Sequence, residues 1–199
     1  MPREIEAKFI NINKEQIIKD LENLGATLIF AERFMKRCTY TIPSENISNV
    51  WARVRDEGNG IVTITYKKIH ADSVDGVEEV EIRTDDFEKA RKLLEKFGLK
   101  EKSYQETKRI RYFIEKDKVE FDIDTWPALN PYLEIEAPTK DLVKKYAELL
   151  NLDWEDALFG STDLVYSRVY NINPEFINYR CSKLTFDNIP KELTEKNKR

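Results

Sequence analysis

Glu4, Glu6 and Lys8 occupy alternate positions of the stretch EIEAK, and Glu134 and Glu136 repeat that spacing in a later EIE. A β-strand sends alternate side chains to opposite faces, so each stretch would set its charges side by side, with Ile5, Ala7, Phe9 and Ile135 on the reverse. Carboxylate oxygens gathered in this way are ligands for hard divalent cations. A second alternating series is basic: Arg53 and Arg55 in WARVRDE, Lys67 behind Thr63 and Thr65 in VTITYK, Arg109 and Arg111 in KRIRYF. Guanidinium forks match phosphate oxygens in pairs. Glu79, Glu81 and Arg83 in EEVEIR, and Glu120, Asp122 and Asp124 in VEFDID, extend the pattern.

In one strand such alternation is simply what a half-solvated antiparallel sheet looks like. Across eight strands the charges are sorted, with acids on the first, fifth, seventh and eighth and bases on the third, fourth and sixth. The reverse face carries residues such as Val54, Ile64, Val80, Ile82, Ile110, Phe121 and Ile123, which three amphipathic helices need as a packing surface. That leaves the charged face lining the lumen of a closed sheet. Unpaired buried charge is costly, and a metal-bound polyphosphate would satisfy both signs at once.

The strands expected to carry these faces are 3–10, 28–41, 50–57, 61–69, 77–84, 105–115, 118–124 and 132–137. Gly58-Asn59-Gly60 makes a hairpin turn between the third and fourth, and EKDK at 115–118 does so between the sixth and seventh. One helix follows Asn13 and stops at Gly25, with Ile17, Ile18, Leu21 and Leu24 at helical spacing. A second runs from Asp85 or Asp86 to Gly98, with Phe87, Ala90, Leu93, Leu94 and Phe97 as its buried stripe. A third covers 139–151. EIEAK with its helix and EVEIR with its helix suggest two pseudo-equivalent halves. Arg33 and Arg37 are further basic candidates on an irregular strand that leaves their direction open.

The chain has 199 residues, 41% hydrophobic and 35% charged, enough for a sizeable core in one compact unit. With 33 basic and 37 acidic residues and a net charge of -4, it lacks the basic excess of a nucleic-acid or membrane-surface binder. No apolar run is long enough to span a bilayer, so the expected location is cytoplasmic and the expected state monomer or homodimer. Cys38 and Cys181 have no metal-ligand context. His70, the only histidine, reads as a loop residue. Any bound metal is therefore held by carboxylates, which favours Mg²⁺ or Mn²⁺.

Taken in order, ExExK, the two RxR pairs, the Lys67 strand, EVE, DID and the closing EIE resemble the CYTH domain of the triphosphate tunnel metalloenzyme superfamily, over roughly residues 1 to 170. The resemblance implies an α+β fold, an eight-stranded antiparallel β-barrel forming a triphosphate tunnel with helices packed outside. Residues 171–199 would be a C-terminal extension and polar tail. It implies metal ligation by Glu4, Glu6, Glu134 and Glu136, with Glu81 and Asp122 as additions. Lys8, Arg53, Arg55, Lys67, Arg109 and Arg111 would bind the phosphates, and Lys8, Glu81 and Asp122 are the catalytic candidates. The implied activity is divalent-metal-dependent hydrolysis of a small-molecule triphosphate. An adenylyl cyclase making cyclic AMP and pyrophosphate, or a non-catalytic polyphosphate-binding module, stands as the alternative. Leu129-Asn130-Pro131, where many relatives have glycine, and Cys38, in place of a commoner acid, depart from the family pattern.

Overall fold

The computed structural model describes residues 5–43, 50–69 and 77–194. Eight strands form one antiparallel sheet: β1 (Ile5–Phe9), β2 (Thr27–Thr41), β3 (Val50–Asp56), β4 (Val62–Ile69), β5 (Val77–Thr84), β6 (Lys100–Ile114), β7 (Val119–Thr125) and β8 (Tyr132–Ala137). Their order is β1-β8-β7-β6-β2-β3-β4-β5, and a short β9 (Lys183–Leu184) runs parallel to β6. Each half of the chain contributes a strand, a helix and three further strands. The first strand of each half pairs with the last strand of the other, β1 with β8 and β5 with β4, while β2 and β6 join the halves at the centre. The sheet is not closed by hydrogen bonds between β1 and β5. Instead Lys8 at the free edge of β1 exchanges both of its backbone bonds with Leu158, each at 2.9 Å.

The three expected helices form, each with a side-chain cap on a first-turn amide. Asn13 caps α1 (Lys14–Asn23), Asp86 caps α2 (Phe87–Lys96) and Thr139 caps α3 (Lys140–Leu149). Ile17 and Leu21 of α1 and Val143, Tyr146 and Ala147 of α3 pack with Ala7, Phe9, Ile110, Phe121, Ile123 and Ile135 on the outer face. Phe87, Ala90 and Leu94 of α2 pack on Cys38, Ala52 and Val54. Two expectations need correction here. Leu93 of α2 and Phe97 at its C-cap are exposed, because α2 turns only one narrow stripe to the sheet. Val80 and Ile82 on β5 are exposed as well, because α2 lies over β2 and β3 and does not reach the edge strand. No helix among the described residues is long and apolar enough to cross a membrane.

Strand β6 starts at Lys100, before the expected boundary, since the length of β2 offers a partner as far as Thr41. A fourth helix, α4 (Thr162–Tyr170), follows the 154–159 segment, and the chain after it folds back to pack Ile177, Cys181, Leu184 and Leu193 against α4. His70 lies outside the described residues.

The hairpin turn of residues 58–60 sits on the β2 bulge. Gly58 has φ +70°, and a Cβ there would run into the Phe34 carbonyl oxygen and the Arg33 side chain, whereas one at Gly60 (φ +83°) meets nothing. Gly58→Ala should therefore cost about 2 kcal/mol or more, the left-handed strain plus the clash, lowering Tm by roughly 5 °C. Gly60→Ala should cost only the strain. Thermal denaturation compares them, and equal losses would show that the turn does not press on β2.

Candidate functional site

The inward faces of the strands form two charged walls. On the first, the register places Lys8 opposite Glu134, Glu134 opposite Asp122, and Asp122 opposite Arg111. Two residues further along, Glu6, Glu136 and Glu120 stand in one row across β1, β8 and β7. Directly opposed like charges destabilise a sheet, and the neighbouring cations answer them. Lys8 Nζ donates to Glu6 Oε1 at 2.6 Å and lies 2.9 Å from Glu134 Oε2. Arg111 grips Asp122 with Nε and Nη2, both at 2.7 Å, and reaches Glu120 at 2.6 Å. Arg109 grips Asp124 in the same forked way, at 2.6 and 2.7 Å, pairs with Asp122, and lies 3.7 Å from Glu134.

Burial acts on every one of these groups, and the partners decide the outcome. Burial would lower the Lys8 ammonium, but Glu134 and Glu6 together hold it above its ordinary value. Burial would raise Glu134, yet Lys8 and then Arg109 bring it down to about 2. For Glu6 burial prevails over Lys8, and its carboxyl is raised. Burial likewise raises Asp124 in spite of Arg109.

The second wall is built on β2 to β5. Arg55 stands between Arg37 and Thr63, Arg53 between Thr39 and Thr65, and Lys67 opposite Glu79. Arg55 Nε donates to Glu57 at 2.6 Å, and Lys67 Nζ is 2.8 Å from Glu79. Arg53 donates to Thr65 Oγ1 at 3.2 Å and reaches Glu79 and Glu81 only at 3.7 Å. Thr65 in turn donates to Glu81 at 2.9 Å. Arg37 donates from Nε to Gln105 Oε1 at 2.8 Å and lies over the Trp126 ring, 4.4 Å from its centroid. Burial, then the charges of Arg53 and Arg55, pulls the Arg37 guanidinium down to about 9. Burial followed by Arg55 brings Arg53 down to about 10. The Lys67 charge also lowers Glu6 and Glu134, so the two walls feel one another across the lumen.

The structure thus gathers Lys8, Arg109, Arg111, Glu6, Asp122, Glu134 and Glu136 on one wall and Arg53, Arg55, Lys67 and Glu81 on the other. Glu4 lies outside the described residues. Arg37 faces inward because the β2 register is regular from Arg33 to Thr39, beyond the bulges at Leu28–Arg33. Its alternation with the buried Cys38 and Tyr40 was the available clue. Asp124, which holds Arg109, belongs to the VEFDID alternation already noted, whereas Gln105 and Trp126, which orient Arg37, carry no sequence pattern that would have marked them.

Glu6, Glu134 and Glu136 sit on adjacent strands, and a row of opposed carboxylates is a donor set of the kind Mg²⁺ and Mn²⁺ accept. Among the described residues no three His, Cys, Asp or Glu side chains already converge as ligands. The reason is visible in the pairing: Lys8 takes up Glu6 and Glu134, and Arg111 takes up Asp122 and Glu120. The residues fit a divalent cation by donor chemistry, at the cost of turning these carboxylates away from their present partners.

A sheet that is charged within and apolar without, under external helices, defines a tunnel-type fold. The chain belongs to the CYTH domain family, whose model matches residues 2–163. Over 145 residues it is 28% identical to a Methanocaldococcus jannaschii protein named "Putative adenylate cyclase", covering 71% of this chain and 81% of that protein. The PH1012 protein of Pyrococcus horikoshii superposes with a TM-score of 0.67 at 28% identity, over 78% of this chain and 94% of that one. A Hippeastrum "putative adenylyl cyclase" described as having a dominant triphosphatase activity shares the fold, with a TM-score of 0.56 at 13% identity, over 84% and 94% of the two chains. Enzymes of this family generally use divalent metals.

Because Glu134 is depressed to about 2 from an ordinary 4.5, its contribution to stability is complete above pH 4.5 and is lost as pH falls toward 2. Glu134→Gln should flatten that part of the acid limb in a thermal-denaturation series from pH 6 to about 2. An unchanged limb would mean that the Lys8–Glu134 pair does not contribute to it.

Proposed function

We propose that the protein hydrolyses the terminal phosphoryl group of a triphosphate, inorganic triphosphate foremost, with Mg²⁺ or Mn²⁺. The observation that carries this reading is the arginine set of the second wall. Arg37 and Arg55 are directly opposed, Arg53 is beside them, and all face a carboxylate wall. Cations held against one another in a buried wall gain most from a polyanion between them. The triphosphatase activity described for the Hippeastrum protein supports the same chemistry.

In this reading Arg37, Arg53, Arg55 and Lys67 bind phosphate oxygens, while Arg109 and Arg111 are held rigid by their Asp124 and Asp122 forks. Glu6, Glu134 and Glu136 would hold the divalent cation, with Glu81 and Asp122 as further oxygen donors. Asp122 joins that set only by releasing an arginine. When bound, the cation supplies Lewis-acid neutralisation of phosphate charge and lowers the pKa of water, so that no histidine base is needed. Lys8, poised between Glu6 and Glu134, holds a positive charge where the transferred phosphoryl group would gain electron density. One water is consumed: its oxygen bonds to the terminal phosphorus, one P–O–P bridge breaks, and orthophosphate and pyrophosphate leave with a proton released to solvent. Buried free thiols at Cys38 and Cys181 suit a reducing compartment such as the cytoplasm.

The second reading, adenylyl cyclase, rests on the name of the Methanocaldococcus jannaschii relative. It would use the same triphosphate grip and release cyclic AMP and pyrophosphate from ATP.

Incubation with Mg²⁺ or Mn²⁺ and, separately, inorganic triphosphate, thiamine triphosphate or ATP should give orthophosphate, with the highest kcat/KM for inorganic triphosphate and slower release from ATP. Cyclic AMP as the dominant product from ATP would establish the cyclase, and binding without turnover of any of the three would establish the binding module. Glu6→Gln and Glu136→Gln should nearly abolish metal-dependent turnover in folded protein. Arg53→Ala and Arg55→Ala should lower kcat/KM about 10²-fold or more, while the exposed Lys92→Ala should not change it. An equal loss in all three basic variants would sink the arginine assignment.

A further inference from the structure

The two ends of the lumen are built differently. At the end where β7 finishes and β8 begins, the inward-facing positions after Asp124 and before Glu134 are Trp126 and Tyr132. Both pack in an apolar cluster with Val165 and Tyr166 of α4 and with Leu184 of the returning segment. Leu184 itself runs beside Gln105 on β6. Tyr132 Oη is also within 3.3 Å of Thr162 Oγ1 at the start of α4. α4 and the chain after it therefore stop the lumen at this end.

Arg37 lies against that stop, stacked on Trp126 and tethered by Gln105. Among the described residues no carboxylate stands within 4 Å of its guanidinium, unlike Arg53, Arg55, Arg109 and Arg111. Two further donors in the same region have no acceptor. Trp126 Nε1 and Arg53 Nε are both buried with no hydrogen-bond partner among the described residues, in residues only 4% and 8% exposed. A buried N–H left without an acceptor carries its full desolvation cost. Arg53 could not be relieved by its acids, which sit at 3.7 Å from Nη2 and not at Nε.

We propose that Arg37, Trp126 Nε1 and Arg53 form the seat of the substrate's free terminal phosphate at the closed end of the lumen, an inference that rests on the triphosphate reading above. A terminal phosphoryl group carries three non-bridging oxygens and up to two charges, whereas an internal one carries two oxygens and one charge. The place richest in unanswered donors suits the end of the chain. The substrate then goes in phosphate-end first, and any organic group stays toward the opposite end, away from the stop. A compound of the same length with both ends blocked cannot fill the seat.

Isothermal titration calorimetry with EDTA present measures binding separately from turnover. The probes are inorganic triphosphate, ATP, and diadenosine triphosphate, which has no free terminal phosphate. Wild-type protein should bind the first two and bind diadenosine triphosphate at least tenfold more weakly. Trp126→Phe keeps the ring and the stacking surface but removes the N–H, and Arg37→Gln removes the charge. Each should weaken inorganic triphosphate and ATP about tenfold or more, the range of a hydrogen bond to a charged group. Circular dichroism confirms folding, and should Arg37→Gln fail to fold, Trp126→Phe decides alone. Wild-type binding with Trp126→Phe within twofold of it, or diadenosine triphosphate bound as tightly as ATP, would overturn the seat and leave the triphosphate reading intact. No binding of any probe by wild-type protein, with EDTA and again with Mg²⁺ in its place, would overturn both.

Discussion

Like charges set directly opposite one another are the constraint around which the interior is arranged. Arg37 faces Arg55 across β2 and β3, and Glu6, Glu136 and Glu120 form a row across β1, β8 and β7. A sheet gives up stability at each such pairing. What keeps the arrangement folded is that every repulsive row is flanked, two residues along the strands, by a row of mixed sign. Lys8, Glu134, Asp122 and Arg111 flank the acids. Glu81, Thr65, Arg53 and Thr39 flank the bases. The like-charge rows are where a ligand of opposite sign would gain most, and the mixed rows hold the side chains in place.

The pseudo-symmetry of the chain makes this clearer. β3 in one half corresponds to β7 in the other, and Arg53 and Arg55 stand where β7 has Glu120 and Asp122. The two halves share a backbone plan, and on this pair of strands they carry opposite charges at equivalent inward positions. Because β1 and β5 cross over to the other half, each wall also receives charges of the other sign: Lys8 among the acids, Glu79 and Glu81 among the bases. The crossing strands, together with Arg109 and Arg111 of β6 on the acidic wall, offset part of each wall's charge and leave a difference in charge between the walls.

Much of this was readable from residue types because a strand allows a side chain only two directions. Once Ala7 and Phe9 face the helices, Glu6 and Lys8 must face the lumen, and the same holds for Arg53, Arg55, Arg109 and Arg111. What alternation leaves undetermined is who meets whom. The fork of Asp122 on Arg111, the 3.7 Å separation of Arg53 from its acids and the stacking of Arg37 on Trp126 depend on register between strands far apart in the chain. The outer face shows the same limit. Val80 and Ile82 alternate as faithfully as Ile135, but α3 follows β8 directly and packs over it. No described helix does the same for β5. The bulges near Phe30 hid the direction of Arg37, and α4 carries too weak a periodicity to have marked the stop at the end of the lumen.

The division between the two faces of each strand also explains how so unfavourable an interior can persist. Buried ion pairs of this kind contribute little net stability, and removing one partner is costly. The favourable energy of the fold must come from the apolar reverse of the same residues' neighbours. Ala7, Phe9, Ile110, Phe121, Ile123 and Ile135 form one continuous cluster with α1 and α3, and Cys38, Ala52 and Val54 form another with α2. Neighbouring residues on one strand thus perform opposed tasks, one adding to stability and the next spending it on a charged wall. A change on the outer face should therefore reach the site only through strand position. A charge change on the inner face can alter binding while the hydrophobic clusters that hold the sheet are left untouched, which is why the interior could be re-sorted by sign between the two halves without a change of fold.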